Sequence, residues 1–419
     1  MSNIYHITCP HQRIEGTIQL DGSKSISNRV LIIEALTGQK FDISGLSTSD
    51  DTDTLRRMLT PGQKIVDAGH AGTSFRFSTA FFAVNEKEIV ITGSERMKQR
   101  PIGPLVEAFN SLGAKIEFLE KDGYPPLRIC PTLLSEWKDE VTIPANVSSQ
   151  YISALLMIAP KLPQGLKIHL DGHLVSRPYI EMTIKIMSYF GARVHWHENT
   201  IEVSYQPYVP KPFQVEADWS AASYYFTIAA FSESAEINLN GLHERSLQGD
   251  QRIKEIMEPI GVKSRFSNDQ LQIFKIGKLN RSGAQIDFTE CPDIAQTMAV
   301  ISAGCQIPMQ FSGLQTLSIK ETDRIKALQI ELHKLNCTFA PLVEDAHLLY
   351  PLRRYQTGGQ PKWKNTPIFE TYKDHRMAMS FAPLGLLHPV RIAQPSVVEK
   401  SYPGYWNDLK KLGFVVQEE

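Results

Sequence analysis

Cysteine is scarce in this sequence, and the few cysteines are widely spaced. The 419 residues contain five, Cys9, Cys130, Cys291, Cys305 and Cys337, without a CxxC pair. Zinc sites and disulfide frameworks need paired or closely spaced cysteines, so the pattern argues against both. We therefore expect reduced thiols, no structural metal and a cytoplasmic protein.

Long apolar runs and net charge are also lacking. No apolar stretch approaches the roughly 18 residues of a membrane span, and no basic segment followed by an apolar one opens the chain. The 44 Lys and Arg residues balance 45 Asp and Glu residues, leaving a net charge of −1. We therefore expect no nucleic-acid or membrane partner. An apolar fraction of 42% and a length of 419 residues are typical of a globular protein with two or more domains.

A helix that ends in a tight turn and leads into a strand recurs along the chain. The predicted turn residues, roughly 70 to 78 positions apart, are Gly113, Gly191, Gly261, Asn336 and Gly413. Glycine and asparagine tolerate the left-handed conformation that ends many helices. A shortened earlier copy lies at residues 49–62. The repeats predict an α/β protein of six similar units, as one solenoid or as two globules of three.

Short β-rich runs that end in glycine alternate with these helices. They include KEIVITG, GLKIHLDG, AEINLNG and PMQFSG. The proline-rich stretch at 205–213 is the best internal boundary, because proline interrupts both helices and sheets. A cut near residue 217 leaves three units on each side.

Residues 21–29, DGSKSISNR, stand at the start of a predicted helix. Unpaired N–H groups at a helix start attract anions, and Lys24 and Arg29 add positive charge. A nucleotide P-loop is excluded, because Ser23 separates Gly22 from Lys24. The alternative is an ordinary serine-capped helix.

Other predicted helix starts in the first half also carry anion-binding side chains or glycine. Arginine can hold a phosphate or carboxylate with two hydrogen bonds, and serine or glutamine suits hydroxyls and phosphate. The candidates are Gly72, Thr73, Arg76, Arg100, Ser148, Ser149, Gln150, Ser176, Arg177 and Tyr179. Taken singly, each has a plain structural explanation as a cap or a turn.

The second half supplies carboxylates at helix starts. The plain structural explanation for Asp293 is that it caps a helix. Ser318 and Glu321 fit a capping box, which is the structural alternative for Glu321. The accompanying candidates are Lys320, Asp323, Arg324, Asp374, His375, Arg376 and Lys400. Together with the first half they predict an electropositive cleft for small, multiply charged anions, with carboxylates for proton transfer.

Nine stretches of this sequence closely resemble the 5-enolpyruvylshikimate-3-phosphate synthase family. They are DGSKSISNR, AGTSFR, RMKQRPIG, SSQYISALL, SRPYIEMT, PDIAQTMAV, KETDRIKAL, YKDHRMAMSF and EKSYPGYW, in the family's order. The resemblance implies two similar lobes, each of three βαβαββ-type units in an inside-out barrel, with the first unit truncated. Residues 20–217 would form one lobe and residues 1–19 plus 218–419 the other, with the active site in the cleft between them.

The resemblance also implies the reaction. The enolpyruvyl group of phosphoenolpyruvate is transferred to the 5-hydroxyl of shikimate 3-phosphate by addition and elimination, releasing phosphate. This step belongs to the shikimate pathway, which leads to chorismate and the aromatic amino acids. No metal or organic cofactor is implied, and we expect a cytoplasmic monomer.

The resemblance also implies site residues, at the positions of this sequence that match the family's motifs. Ligands of shikimate 3-phosphate would be Lys24, Ser25, Arg29, Ser148, Ser149, Gln150, Ser176, Tyr179, Asp293 and Lys320. Ligands of phosphoenolpyruvate would be Lys24, Gly72, Arg100, Gln150, Arg324, Arg376 and Lys400. Asp293 is expected to take the proton of the 5-hydroxyl and Glu321 to protonate the methylene carbon, with Lys24 and Lys400 sharing these duties.

The chain departs from the family pattern at several positions. His70 stands where asparagine is usual, which predicts a steeper pH dependence of phosphoenolpyruvate binding. Phe77 stands where proline is common and Thr316 where many members carry asparagine, whereas Gly72 is kept, which suggests sensitivity to glyphosate. Roughly thirty family residues are missing between Met58 and Asp67, consistent with the shortened repeat.

Two other functions remain open at the level of sequence. The related enolpyruvyl transferase that acts on UDP-N-acetylglucosamine typically carries a loop cysteine and a Lys-Asn pair, whereas this chain has Lys24-Ser25 and no cysteine between 70 and 100. A catalytically silent anion-binding homologue is disfavoured by the presence of both Asp293 and Glu321.

Overall fold

The chain divides into two compact units. The computed structural model describes residues 3–85, 87–146, 148–172, 174–267, 270–350, 352–363 and 365–419. Met1–Asp21 and Glu216–Glu419 form one unit, called here the discontinuous unit, and Gly22–Val215 forms the other, the continuous unit.

The strands are short and distributed along the whole chain. They are β1 Ile4–Thr8, β2 Arg13–Gln19, β3 Ile43–Ser44, β4 Ile65–Asp67, β5 Ile89–Thr92, β6 Lys115–Phe118, β7 Leu127–Cys130, β8 Glu140–Pro144, β9 Leu166–Asp171, β10 Val194–His197, β11 Thr200–Val203, β12 Phe213–Gln214, β13 Ser234–Asn240, β14 Lys263–Ser267, β15 Gln270–Lys275, β16 Ala284–Asp287, β17 Met309–Ser312, β18 Cys337–Pro341, β19 Tyr355–Gly359, β20 Ile368–Phe369, β21 Val390–Ala393 and β22 Val415–Glu418.

The helices alternate with these strands. They are α1 Lys24–Thr37, α2 Asp50–Met58, α3 Gly72–Ala83, α4 Gly103–Leu112, α5 Ser149–Ile158, α6 Arg177–Tyr189, α7 Trp219–Phe231, α8 Ile253–Met257, α9 Ala295–Cys305, α10 Arg324–His333, α11 His375–Phe381 and α12 Tyr405–Lys411.

Five sheets in the described residues share one pattern of pairing. Each has four strands, in the orders β4-β5-β7-β6, β10-β11-β9-β8, β14-β15-β13-β2, β16-β17-β19-β18 and β20-β21-β1-β22. In each, one pair is parallel and the other two are antiparallel. This recurrence in five sheets is the structural counterpart of the repeated sequence pattern.

The sixth sheet is reduced to the parallel pair β3–β12 in the continuous unit. Aromatic rings pack beside it: Phe190 lies 5.1 Å from Phe41 and 5.6 Å from Phe213, measured between ring centroids. Strand β3 directly precedes residues 49–62, where the sequence predicts a shortened repeat, and its sheet has two strands instead of four.

Local predictions from the sequence are confirmed at strands and turns. The four glycine-terminated runs form β5, β9, β13 and β17. The predicted turn residues all have positive φ, from 59° to 123°, at Gly113, Gly191, Gly261, Asn336 and Gly413. One helix is shorter than its pattern suggests, because α8 ends at Met257, four residues before its turn glycine.

Each unit contains three almost fully buried helices that pack against one another. In the continuous unit these are α1, α3 and α5, and in the discontinuous unit α7, α9 and α11. A helix that is apolar on all sides must be enclosed, which the surrounding amphipathic strands achieve. Predicted site residues stand at or just before the starts of α1, α3, α5, α9 and α11. In the described part of the chain, no helix is both long and apolar enough to cross a membrane.

Candidate active site

The start of α1 brings a lysine and an aspartate together in the continuous unit. Lys24 Nζ lies 3.0 Å from Asp51 Oδ2, and both side chains are largely buried. Ser23 occupies the N-cap position, but its side chain makes no capping hydrogen bond. The serine-capped helix considered from the sequence is therefore not formed, and Lys24 is the charged group at this helix start.

The starts of α2, α3 and α5 meet close to this pair. The Ser74 hydroxyl donates to the carbonyl oxygen of Asp51 at 2.7 Å. Gln150 Nε2 donates to Thr73 Oγ1 at 2.9 Å. These bonds place three predicted site residues, Lys24, Thr73 and Gln150, in one connected group.

Arg100 lies directly over the start of α3. A Cβ atom at Gly72 would overlap the Arg100 guanidinium, so only glycine permits this approach. Arg76 has a structural role in this region, because its Nη atoms donate to the carbonyl oxygens of Gly72 and Pro101 at 2.9 and 3.2 Å. Arg100 is therefore the better placed anion ligand of the two.

Arg29 is enclosed by protein groups. Its guanidinium donates to Thr183 Oγ1 at 2.7 Å, to the Ser25 carbonyl oxygen at 2.8 Å, and to Ser153 Oγ and the Tyr179 carbonyl oxygen at 3.3 and 3.2 Å. Burial lowers the pKa of Arg29 to about 10. A substrate anion would have to share or replace these partners.

The remaining candidates of the continuous unit lie at helix starts. Ser148 caps α5 by accepting the Gln150 N–H at 3.3 Å. Ser176 precedes α6 in a left-handed conformation, with φ of 57°, and its hydroxyl makes no capping bond. His70 is exposed, and its Nδ1 lies 2.7 Å from Ser94 Oγ.

In the discontinuous unit, one carboxylate is shared by three cations. Asp293 Oδ1 lies 3.0 Å from Arg324 Nη1 and 3.4 Å from Lys320 Nζ, and its Oδ2 lies 3.0 Å from Arg376 Nη2. Asp293 belongs to a short 3₁₀ helix, Pro292–Ile294, and the N-cap of α9 is Ile294. The capping explanation for Asp293 is therefore wrong.

Arg324 is buried beneath this cluster and joins three carboxylates. Besides Asp293, it contacts Asp374 Oδ2 through Nε at 2.7 Å and Glu321 Oε2 through Nη2 at 3.1 Å. Burial alone would lower the pKa of Arg324, but the three carboxylates outweigh it and raise that pKa above its usual range. The side chain is only 1% exposed, so a ligand would have to displace a carboxylate to reach it.

Glu321 bridges two cations. Its Oε1 lies 3.0 Å from Lys400 Nζ, and both side chains keep some exposure to solvent. The capping box predicted from Ser318 and Glu321 does not form, because α10 begins later and is capped by Asp323, whose side chain accepts the Lys326 N–H. The Glu321 carboxylate is thereby available to its cationic partners.

Two acidic residues beside the charged groups, Asp51 and Asp250, were not among the candidates named from the sequence, whereas Asp374, which holds Arg324, was. Asp51 holds Lys24, and the signal for it was its position in the first turn of α2. Asp250 is buried and accepts a hydrogen bond from the Ser220 hydroxyl. Burial, reinforced by the negative charge of Asp293, raises the pKa of Asp250 to about 7.

The chemistry available is anion binding and proton transfer. Lysine and arginine side chains can bind the negatively charged groups of a substrate. The partly exposed Asp293 and Glu321 can exchange protons with it. Among the described residues, no three His, Cys, Asp or Glu side chains are grouped so that they could hold a metal ion.

The chain is similar over its whole length to one family. The sequence model of EPSP synthase (3-phosphoshikimate 1-carboxyvinyltransferase) matches residues 9–60 and 54–409. A 3-phosphoshikimate 1-carboxyvinyltransferase of Bacteroides fragilis (strain YCH46) is 46% identical over 415 residues, covering 99% of this chain and 98% of the relative. The one of Proteus mirabilis (strain HI4320) is 34% identical over 433 residues, covering 96% and 97%.

Solved structures agree at the level of the fold. An EPSP synthase from Acinetobacter baumannii superposes with a TM-score of 0.75 at 19% identity, covering 100% of both chains. With the family match over residues 9–409 and a relative 46% identical, the assignment is direct. The chain belongs to the EPSP synthase (3-phosphoshikimate 1-carboxyvinyltransferase) family.

Proposed function

We propose that the protein transfers the enolpyruvyl group of phosphoenolpyruvate to the 5-hydroxyl of shikimate 3-phosphate, releasing phosphate. Family membership supports this activity. The observation that carries it is the group of cations around Asp293 and Glu321, because the reaction needs bound anions next to groups that exchange protons.

We assign the two substrates to two sets of residues, which share Lys24 and Gln150. For shikimate 3-phosphate the proposed ligands are Lys24, Ser25, Arg29, Ser148, Ser149, Gln150, Ser176, Tyr179, Asp293 and Lys320. For phosphoenolpyruvate they are Lys24, Gly72, Arg100, Gln150, Arg324, Arg376 and Lys400. The contact between Gly72 and Arg100 supports this second set, and so do the partly exposed side chains of Arg376 and Lys400.

In the addition step, Asp293 accepts the proton of the 5-hydroxyl as its oxygen attacks C2 of phosphoenolpyruvate. The methylene carbon takes a proton from Glu321 or Lys400, which are 3.0 Å apart and can pass one between them. The product of this step is a tetrahedral intermediate with a methyl group. Clustered cations stabilise the charge of its phosphate and carboxylate.

In the elimination step, the C–O bond to phosphate breaks, the methyl group loses a proton to Glu321, and the double bond forms again. Lys24, Arg376 and Lys400 would stabilise the departing phosphate. A substrate anion that draws Arg376 or Lys400 away leaves Asp293 or Glu321 with less positive charge beside it. The carboxylate then accepts a proton more readily.

The proposed activity has a direct test. The purified protein is assayed for phosphate release from phosphoenolpyruvate with shikimate 3-phosphate as acceptor, and with UDP-N-acetylglucosamine as the control acceptor. We expect release only with shikimate 3-phosphate. Release with the nucleotide sugar alone would assign the protein to the related transferase, and release with neither would indicate a silent anion-binding homologue.

We further propose the finer architecture of two lobes of three βαβαββ-type units each, in an inside-out barrel. The shared pairing of five sheets and the buried helices of each unit support it. We also propose that the enzyme works as a monomer in the cytoplasm, on the basis of the resemblance alone. Light scattering after gel filtration tests the monomer: a mass near 47.2 kDa is expected, and twice that mass contradicts it.

A further inference from the structure

A tight turn directly before α11 has an unfavourable backbone conformation. At its centre, Tyr372 and Lys373 have φ of 53° and 59°. The turn is closed by the Asp374 N–H, which donates to the Thr371 carbonyl oxygen at 2.8 Å. Turns with two left-handed central residues normally use glycine, asparagine or aspartate, because a Cβ atom is disfavoured there. Contacts elsewhere must therefore hold this turn in place.

Glu331 on α10 holds the turn from both sides. The Tyr372 hydroxyl donates to Glu331 Oε1 at 2.6 Å, and the Glu370 N–H donates to Oε2 at 3.0 Å. Lys334 Nζ lies 2.6 Å from the same Oε2 and balances its charge. Glu331 is completely buried, so this carboxylate is committed to the turn and not to solvent.

The residues that follow the turn belong to the charged cluster. Asp374 accepts Arg324 Nε at 2.7 Å and caps α11 by accepting the Arg376 N–H at 2.9 Å. The Arg376 guanidinium in turn lies 3.0 Å from Asp293. A shift of the turn therefore moves Asp374 and Arg376 together.

One face of α10 contacts the segment at two points. Arg324 and Glu331 are seven residues apart, two helical turns, and so lie on the same face of the helix. Arg324 binds Asp374 after the turn, and Glu331 binds Tyr372 within it. Two fixed points set both the position and the direction of the start of α11.

We propose that Glu331 and Tyr372 are positioning residues for phosphoenolpyruvate binding. By holding the strained turn they keep Arg376 at the place where it meets the substrate anion, without touching the substrate themselves. This inference rests on the proposed function, in which Arg376 is a ligand of phosphoenolpyruvate. The sequence motif YKDHR contains the turn, but its conformation and its partner on α10 emerge only from the fold.

The first variant is Tyr372→Phe, which removes one hydroxyl and keeps the packed ring. We expect the KM for phosphoenolpyruvate to rise about tenfold, because a small displacement of a positioned charge weakens binding strongly. The affinity for shikimate 3-phosphate, measured by calorimetry, should be unchanged. The matched control is Tyr208→Phe, which removes a buried hydroxyl that donates to the Met157 carbonyl oxygen at 2.9 Å in the other unit.

A second substitution tests the role of strain. Lys373→Gly places glycine at one of the two left-handed positions and lowers the conformational cost of the turn, so that the turn depends less on the Glu331 contact. Added to Tyr372→Phe, it should return the KM for phosphoenolpyruvate towards the wild-type value. If the Tyr372 hydroxyl served packing alone, Tyr372→Phe would change thermal stability, as Tyr208→Phe does, and the KM for phosphoenolpyruvate would stay the same.

Three results would overturn the proposal. The KM of Tyr372→Phe could equal that of Tyr208→Phe, both substrate affinities could fall together, or Lys373→Gly could fail to restore the KM. A wild-type protein without turnover would refute the proposed function separately. In that case, hydrogen exchange of the Asp374 and Arg376 amides tests the positioning role of Glu331 and Tyr372. Exchange should be faster in Tyr372→Phe and normal in the double variant. Unchanged exchange in Tyr372→Phe would refute the positioning role.

Discussion

At the scale of single residues, the Asp293 carboxylate lies within ion-pair distance of three cationic side chains, Lys320, Arg324 and Arg376. Asp293→Asn keeps the shape but cannot accept the hydroxyl proton. We expect kcat to fall roughly 10²- to 10⁴-fold, and a similar loss for Glu321→Gln. The control Asp345→Asn alters a carboxylate that pairs with Arg354 and should keep normal turnover. Near-normal turnover of both active-site variants would refute the assignment.

Gly72 carries a second prediction at this scale. An added methyl group in Gly72→Ala overlaps the Arg100 guanidinium and pushes it away from its place above α3. We expect the KM for phosphoenolpyruvate to rise about tenfold, while the KM for shikimate 3-phosphate changes little. Steady-state kinetics with each substrate varied in turn give both values. An unchanged KM for phosphoenolpyruvate would mean that Arg100 does not bind it.

Asp250 carries a prediction about pH. Its pKa of about 7 in the folded protein exceeds the unfolded value of about 3.9. The folded state therefore binds this proton more tightly, and stability is lost as pH rises from about 4 to about 7. Asp250→Asn lacks this loss and should be more stable than wild type at pH 8 by about 1–3 kcal/mol, yet no more stable at pH 4. Urea unfolding at both values measures the difference, and equal pH dependence of the two proteins would contradict it.

At the scale of elements, Arg324 connects α10 to α11 and to the Pro292–Ile294 turn. Arg324→Met would leave the Asp293, Glu321 and Asp374 carboxylates without their shared buried partner. We expect the free energy of unfolding to fall by about 3–5 kcal/mol. Denaturant unfolding measures it, with Arg354→Met as the control, because the Arg354 side chain that pairs with Asp345 is about half exposed. A loss no larger than that of the control would show that the cluster is not held by Arg324.

The elements themselves were largely predictable, for local reasons. Glycine-terminated β-rich runs became strands, and Asn336 takes a left-handed conformation in the turn after α10, as expected. The capping box predicted from Ser318 and Glu321 was wrong, because α10 is capped by Asp323 instead and Glu321 pairs with Arg324 and Lys400. Sequence spacing does not include such partners, since they come from other elements.

At the scale of the whole molecule, the repeat was visible in the sequence but its internal pairing was not. Periodic helix ends predict similar units, whereas the order of strands within each sheet depends on long-range contacts. The same holds for the site. Motifs predicted Lys24 and Asp293 singly, but their partners Asp51 and Arg376 come from distant positions of the chain.

One reaction run in deuterated water tests the proposed mechanism most directly. Phosphoenolpyruvate and shikimate 3-phosphate are incubated with the protein, and the product is analysed by mass spectrometry. Protonation of the methylene carbon followed by loss of one proton from the methyl group predicts enolpyruvyl shikimate 3-phosphate with deuterium in its vinyl group. Product without deuterium would contradict the role given to Glu321 and Lys400, and no enolpyruvyl product would contradict the proposed function.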